Sequence, residues 1–152
     1  MPRINAVDVG IVDKPPSAVF KAYVNEVSGL TSWYMPTILI KPRDNALIDH
    51  VGAAFDVTIN PLSRANARFS CKVTEFVEPK RIEMDITGDF LGKGTWTFEP
   101  MENEKTKLQI HFDVTINRWL FRFLSRFVDM EKGHSEVIQK GFKLCNDYLC
   151  KE

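Results

Sequence analysis

The sequence predicts an α+β fold in which an antiparallel sheet packs against a long C-terminal helix. Two observations predict it. Between residues 37 and 117, apolar and polar residues alternate with a period of two, as in strands that have one covered and one wet face. After residue 117 the period becomes about 3.6, that of an amphipathic helix. With 152 residues, 44% of them apolar and 26% charged, we expect a single domain over 1–152.

The N-terminal part is predicted to hold one strand and two short helices. The strand covers 3–12, and four of its residues share one face: Asn5, Val7, Val9 and Ile11. Pro16 is well placed in the first turn of a helix that runs to Val24. A second short helix is predicted at 30–34, because Gly29 precedes it and Pro36 stops it.

Six further strands complete a predicted sheet of seven. They are expected at 37–41, 55–60, 67–76, 82–87, 93–100 and 107–116. The last alternates most strictly, with one face made of Leu108, Ile110, Phe112, Val114 and Ile116. The short connections contain Pro, Gly, Asn and Asp, which favour tight turns, so we expect hairpins in an antiparallel meander.

Residues 119–149 are predicted to form one long amphipathic helix, and Gly133 is the candidate position for a break. At about 100° per residue, the apolar face collects one set of side chains. The set is Trp119, Leu120, Phe123, Phe127, Met130, Val137, Ile138, Gly141, Cys145, Tyr148 and Leu149. His134 falls at the centre of this face, so its ring is predicted to point to the protein interior. The sheet is the expected cover for the face.

Composition excludes several classes of function. Twenty basic and twenty acidic residues cancel, so no nucleic-acid partner is expected. The N-terminus lacks the apolar run of a signal peptide, so export is not expected. No segment reaches the roughly 20 apolar residues that a membrane span requires, so stable membrane insertion is not expected. The three cysteines lack a CxxC spacing, which favours a reducing cytoplasm. The spacing of histidines and cysteines suggests no metal site, and no glycine-rich phosphate motif is present, so no cofactor is expected.

Short phrases in nearly every part of the chain match one known superfamily. They are the proline-led helix entry at 13–20, Trp33, the strand entry at 51–55, the strand–Pro–basic–strand turn at 73–82, and the segments 94–98 and 141–144. Their order and spacing resemble the START-like or SRPBCC superfamily, which includes polyketide cyclases and lipid-transfer proteins. The resemblance implies a helix-grip fold, in which a curved seven-stranded antiparallel sheet wraps around the C-terminal helix.

The resemblance also implies a cavity between sheet and helix that binds or transports a small hydrophobic molecule, such as a lipid, a quinone or a polyketide-like compound. The residues predicted to contact that molecule are Trp33, Trp96, Phe98, Phe112, Phe123, Phe127, Met130 and His134. Most pocket linings are apolar with a few placed polar groups, and His134 is the candidate polar contact. No catalytic signature is present.

Two alternatives stay open. One is a cyclase or aromatase enzyme that uses His134 as acid or base, which a second polar group facing His134 would favour. The other is a chaperone-stimulating interaction module, which a solid core would favour.

The aromatic and mildly basic segment 119–127 is predicted to pack on neighbouring loops, to act as a gate, or to contact a membrane transiently while cargo transfers. The oligomeric state is not predicted.

Overall fold

The computed structural model describes residues 3–60, 66–124, 126 and 129–151. The strands are β1 (Arg3–Val12), β2 (Ile38–Pro42), β3 (Ala54–Ile59), β4 (Ala67–Val77), β5 (Arg81–Gly88), β6 (Phe90–Met101) and β7 (Lys105–Ile116). The helices are α1 (Pro16–Val27), α2 (Trp119–Leu124) and α3 (Met130–Leu149). All seven predicted strands are confirmed, and so is the start of the first helix at Pro16.

The seven strands form one antiparallel sheet in the order β1-β7-β6-β5-β4-β3-β2. Strands β2 to β7 form the predicted meander, and β1 joins beside β7. Thr74 is an extra residue in β4 between the paired Val73 and Glu75, and such a bulge bends a strand. The inner face of β7 is the predicted one, since every second residue from Thr106 to Ile116 is buried. The curved inner face holds the core.

Strand β1 turns the apolar side chains of its shared face outward. Val7, Val9 and Ile11 are exposed, whereas Ile4 and Ala6 point into the core. The alternation in the sequence predicts which residues of β1 share a face. Which of the two faces is covered depends on the pairing of β1 with β7.

Helix α3 covers the open edge of β1 with polar side chains. The backbone N–H of Asn5 donates to Glu131 Oε1 at 3.2 Å. Gln139 Nε2 donates to the carbonyl of Val9 at 3.3 Å, and the N–H of Asp13 donates to Asn146 at 2.8 Å. An edge strand presents unpaired backbone groups, and these side chains satisfy several of them. They also fix α3 along the sheet.

The prediction of a second short helix at 30–34 is wrong. This segment forms turns, and α1 is the one α-helix between β1 and β2 in this fully described stretch. The N–H groups of Trp33 and Tyr34 donate to the carboxylate of Glu26. Because this side chain takes the donors, a turn replaces the helix there.

The prediction of one helix over 119–149 is also wrong in its continuity. The helix ends at Leu124 and a new one begins at Met130, whereas Gly133 lies inside α3. Asp129 caps the second helix, since its side chain accepts from the N–H of Lys132 at 3.1 Å. Because the helix is interrupted, α2 is rotated about its axis relative to the predicted continuous helix, and Phe121 is its buried residue. Trp119, predicted on the covered face, is 74% exposed.

Candidate functional site

A cavity of about 80 Å³ lies between the curved inner face of the sheet and the helices α1 and α3. Every strand from β2 to β7 contributes to its lining, together with the turn residue Tyr34. Most of the lining is aliphatic or aromatic. The polar side chains among the described lining residues come mainly from the helical side, and they are Tyr23, Glu26, Tyr34 and His134.

A second space of about 260 Å³ adjoins the cavity. Ile59, His134 and Val137 line both, so the two spaces meet at α3 and the end of β3. The second space is bordered further by Phe121 and Leu124 of α2. Its other described lining residues include Met130 and Gly133 near the start of α3.

His134 stands at the boundary of the two spaces. Its ring stacks on Phe112, with 4.1 Å between the ring centroids and an angle of 22° between the planes. The Nε2 atom is buried and has no hydrogen-bond partner among the described residues. Burial lowers the pKa of His134 to about 4, although the charges of Asp8 and Glu131 act in the opposite direction. The imidazole is therefore neutral at physiological pH.

Tyr23 brings a second polar atom to the same cavity. Its ring makes edge contacts with Trp33 at 5.1 Å and with Trp96 at 5.4 Å between centroids. Its hydroxyl is buried and finds no hydrogen-bond partner in the described part of the chain. Burial, supported by the nearby Glu26 charge, raises the pKa of Tyr23 well above its usual value. The phenol therefore keeps its proton and can donate it in a hydrogen bond.

Glu26 is the buried charged group of the cavity, with 4% of its surface exposed. Its Oε1 accepts from the hydroxyl of Thr31 at 2.6 Å and from the N–H of Trp33 at 3.2 Å. Its Oε2 accepts from the N–H of Tyr34 at 2.8 Å. Three donors thus offset the cost of burying the carboxylate, and in doing so they fix the turn after α1.

Tyr34 connects that turn to α3. Its hydroxyl donates to the carbonyl of Val137 at 2.8 Å. Its ring lies against Gly141 so closely that a Cβ atom there would overlap it. Burial raises the pKa of Tyr34, so the phenol stays a donor. Gly141 is therefore required for the close approach of α3 to the turn.

The structure brings together three of the residues predicted to contact a ligand. Trp96, Phe112 and His134 line the cavity, and Met130 joins His134 at the second space. Phe127 lies outside the described residues.

Three predicted contact residues lie elsewhere. Phe98 is buried against Phe20, with 5.0 Å between centroids, and belongs to the solid part of the core. Trp33 is not among the described lining residues; its ring stacks on Tyr34, which lines the cavity. Phe123 is 53% exposed, because the break after Leu124 rotates α2 relative to the predicted helix.

The sequence reasoning missed Tyr23 and Glu26. The predicted first helix ended at Val24, whereas α1 runs to Val27. Extended to its full length, the helix places Glu26 on the same face as Ala22 and Tyr23, all three buried. A carboxylate inside an apolar helical face was the signal that could have identified it.

Within the described residues, no group of His, Cys, Asp and Glu side chains is arranged to hold a metal ion. None of the described helices is long and apolar enough to span a membrane.

The seven-stranded sheet curved around a C-terminal helix, with a cavity between them, defines a helix-grip protein. The chain belongs to the family described as polyketide cyclase / dehydrase and lipid transport, whose profile matches residues 6–148. The resemblance found in the sequence is thereby confirmed. No curated protein matches the sequence significantly.

Solved structures show the same fold at low sequence identity. Protein CV1439 from Chromobacterium violaceum is 17% identical with a TM-score of 0.67, and the match covers 95% of this chain and 96% of that one. Ara h 8.0201 is 15% identical with a TM-score of 0.67, covering 99% of both chains. A point mutant of Thalictrum flavum norcoclaurine synthase in complex with a transition-state analogue is 11% identical with a TM-score of 0.64, covering 96% of each.

Proposed function

We propose that this protein binds or transports a small hydrophobic molecule in the cavity between its sheet and α3. One observation carries the proposal. An apolar cavity contains two buried polar atoms, the Tyr23 hydroxyl and His134 Nε2, that have no partner among the described residues. Buried polar groups are nearly always paired in native proteins, so such atoms are expected to pair with something that enters the cavity. Apolar walls with a few directed polar groups are typical of ligand sites.

Catalysis by a cyclase-type enzyme is the alternative, and the presence of Tyr23 beside the same cavity as His134 favours it. The titration behaviour argues against it. A general acid or base works best when its pKa is near the working pH. The pKa of His134 is lowered to about 4 and that of Tyr23 is raised, so both groups are neutral near pH 7. An imidazole with so low a pKa is a weak base, and a phenol with a raised pKa is a weak acid, so the two groups suit recognition of a ligand better than proton transfer. The cavity and the adjoining space of about 260 Å³ together differ from the solid core that an interaction module would favour.

The first test is native mass spectrometry of freshly purified protein, followed by organic extraction and identification of any small molecule that co-purifies. The second is titration with N-phenylnaphthylamine, an uncharged dye that becomes fluorescent in apolar surroundings. The variant Ile86→Phe adds a ring to the cavity wall and should weaken dye binding about tenfold.

The matched control is Thr87→Phe, which adds the same ring on the exposed outer face of the same strand. Dye binding by this control should equal that of the wild type. If both variants bind the dye as the wild type does, the dye is outside the cavity and the proposal fails.

We further propose that loading uses a transient contact between α2 and a membrane surface. Trp119 and Phe123 are exposed on α2, while Phe121 and Leu124 of the same helix border the second space. Exposed large aromatic side chains beside a space of mainly apolar lining are suited to the lipid interface. In flotation with phosphatidylcholine vesicles, Trp119→Ser should reduce the floated fraction severalfold. Val7→Ser, which removes an exposed apolar side chain from β1, should not. Wild-type protein that never floats would contradict this route.

A further inference from the structure

We infer that the charge lining the cavity rejects anionic ligands, so that the molecule bound is uncharged and carries a hydroxyl or carbonyl group. This inference rests on the proposed function and concerns the chemical class of its ligand. It separates apolar alcohols, ketones, quinones and esters from carboxylic acids of similar size.

The formal charges around the cavity have one sign. Among its described lining residues, Glu26 is the one charged side chain, and no Lys or Arg is present. Among the described residues around the second space, the charged side chain is Asp129, again without a Lys or Arg. A carboxylate ligand that entered would lose its hydration and find no cation to replace it.

Glu26 cannot move out of the way of such a ligand. Its carboxylate accepts hydrogen bonds from Thr31, Trp33 and Tyr34, and two of these come from the backbone of the turn. A fixed negative charge with apolar surroundings acts over a longer distance than one in water. Three of its roughly four acceptor positions are already occupied, so it also has little capacity left for an ammonium group.

The polar atoms that remain suit an uncharged head group. The Tyr23 hydroxyl is a donor for a carbonyl or hydroxyl oxygen. His134 Nε2 can accept from a hydroxyl or donate to a carbonyl, according to its tautomer. Neither atom is ionised at neutral pH, so neither supplies the charge that would stabilise an anion.

The experiment is displacement of bound N-phenylnaphthylamine by three compounds substituted at the same ring carbon: naphthol, naphthoic acid and methyl naphthoate. At pH 7.5 naphthol and the methyl ester should each displace the dye at least about tenfold more effectively than the ionised acid. The ester differs from the acid chiefly in charge and is slightly larger. Its displacement of the dye therefore separates charge from size with the wild-type protein alone.

A variant identifies the residue responsible. Glu26→Gln keeps the shape and one acceptor oxygen but removes the charge, so naphthoate should improve about tenfold and naphthol should change less than about threefold. Asp85→Asn removes the same charge from the exposed outer face of β5 and should change neither.

The outcomes separate the two proposals. If the wild type does not bind the dye, the proposed function fails. If the dye binds and naphthoate displaces it as well as naphthol or the ester does, the function stands and the inference about charge is overturned. Displacement by none of the three compounds overturns it too, because a cavity open to the dye would then show no preference for an uncharged head.

Discussion

Glu26 and His134 bring polar atoms to one cavity from different helices, and their hydrogen bonding is opposite. Glu26 of α1 is buried with three donors directed at its carboxylate. His134 of α3 has a buried Nε2 with no partner among the described residues. A satisfied group stabilises the fold, whereas an unsatisfied one costs stability and is retained where function uses it. The hydrogen bonds of Glu26 therefore stabilise the fold, and the unpartnered Nε2 of His134 supports the proposal that this residue contacts a ligand.

The largest expected effect comes from removing the satisfied group. Glu26→Ala leaves the hydroxyl of Thr31 and the N–H groups of Trp33 and Tyr34 without their acceptor. We expect the free energy of unfolding to fall by about 4 kcal/mol, measured by urea denaturation. The control is Asp113→Ala, which breaks the exposed pair with Arg3 and should cost less than about 1 kcal/mol. Equal losses in the two variants would mean that the three hydrogen bonds to Glu26 stabilise the fold no more than an exposed ion pair does.

The second effect is a pH dependence that His134 imposes on stability. Its pKa falls from 6.5 to about 4 on folding, so between these values the unfolded chain binds more protons than the folded one. Stability from this source is fully present above pH 6.5 and is lost as the pH falls toward 4. Between pH 7.5 and 4.5 the loss should be about 2.5 kcal/mol.

The measurement for this effect is the difference in unfolding free energy between the wild type and His134→Leu at each pH. That difference isolates the histidine from other titrating groups. If the two proteins lose stability in parallel over this range, His134 is not buried in the neutral form and its assigned role weakens.

The smallest effect has the opposite sign. At pH 7.5 His134→Leu should raise the free energy of unfolding by about 1 kcal/mol, because it removes a buried polar atom that lacks a partner. The same variant should bind naphthol about tenfold more weakly, since one hydrogen bond to the ligand is lost. Dye displacement and urea denaturation measure the two changes. A gain in stability with unchanged affinity would mean that His134 is a core residue only.

The sheet was predictable because alternation is a local property. Strand β7 shows its period of two most clearly in the sequence, and its face that holds Leu108 and Ile110 is buried as predicted. Two predicted contact residues that lie well inside a regular element, Trp96 on β6 and His134 on α3, are on the wall of the cavity. Phe98 lies away from the described cavity lining, because Phe20 of a distant helix fills the space beside its ring. No local pattern contains that contact.

The break in the C-terminal helix shows the same limit. The apolar pattern continues across 125–129, so periodicity alone joins α2 to α3. The cap by Asp129 begins a second helix, and Phe121 packs inward in place of Phe123. The sequence by itself determined the seven strands, the helix start at Pro16 and the inward position of His134, because each depends on near neighbours in the chain. Only the tertiary structure decided which polar groups are satisfied, because that depends on segments that are distant along the chain or fold back on it. The donors that bind Glu26 come from a turn that folds back onto α1, and no described residue supplies a hydrogen-bond partner to His134 Nε2.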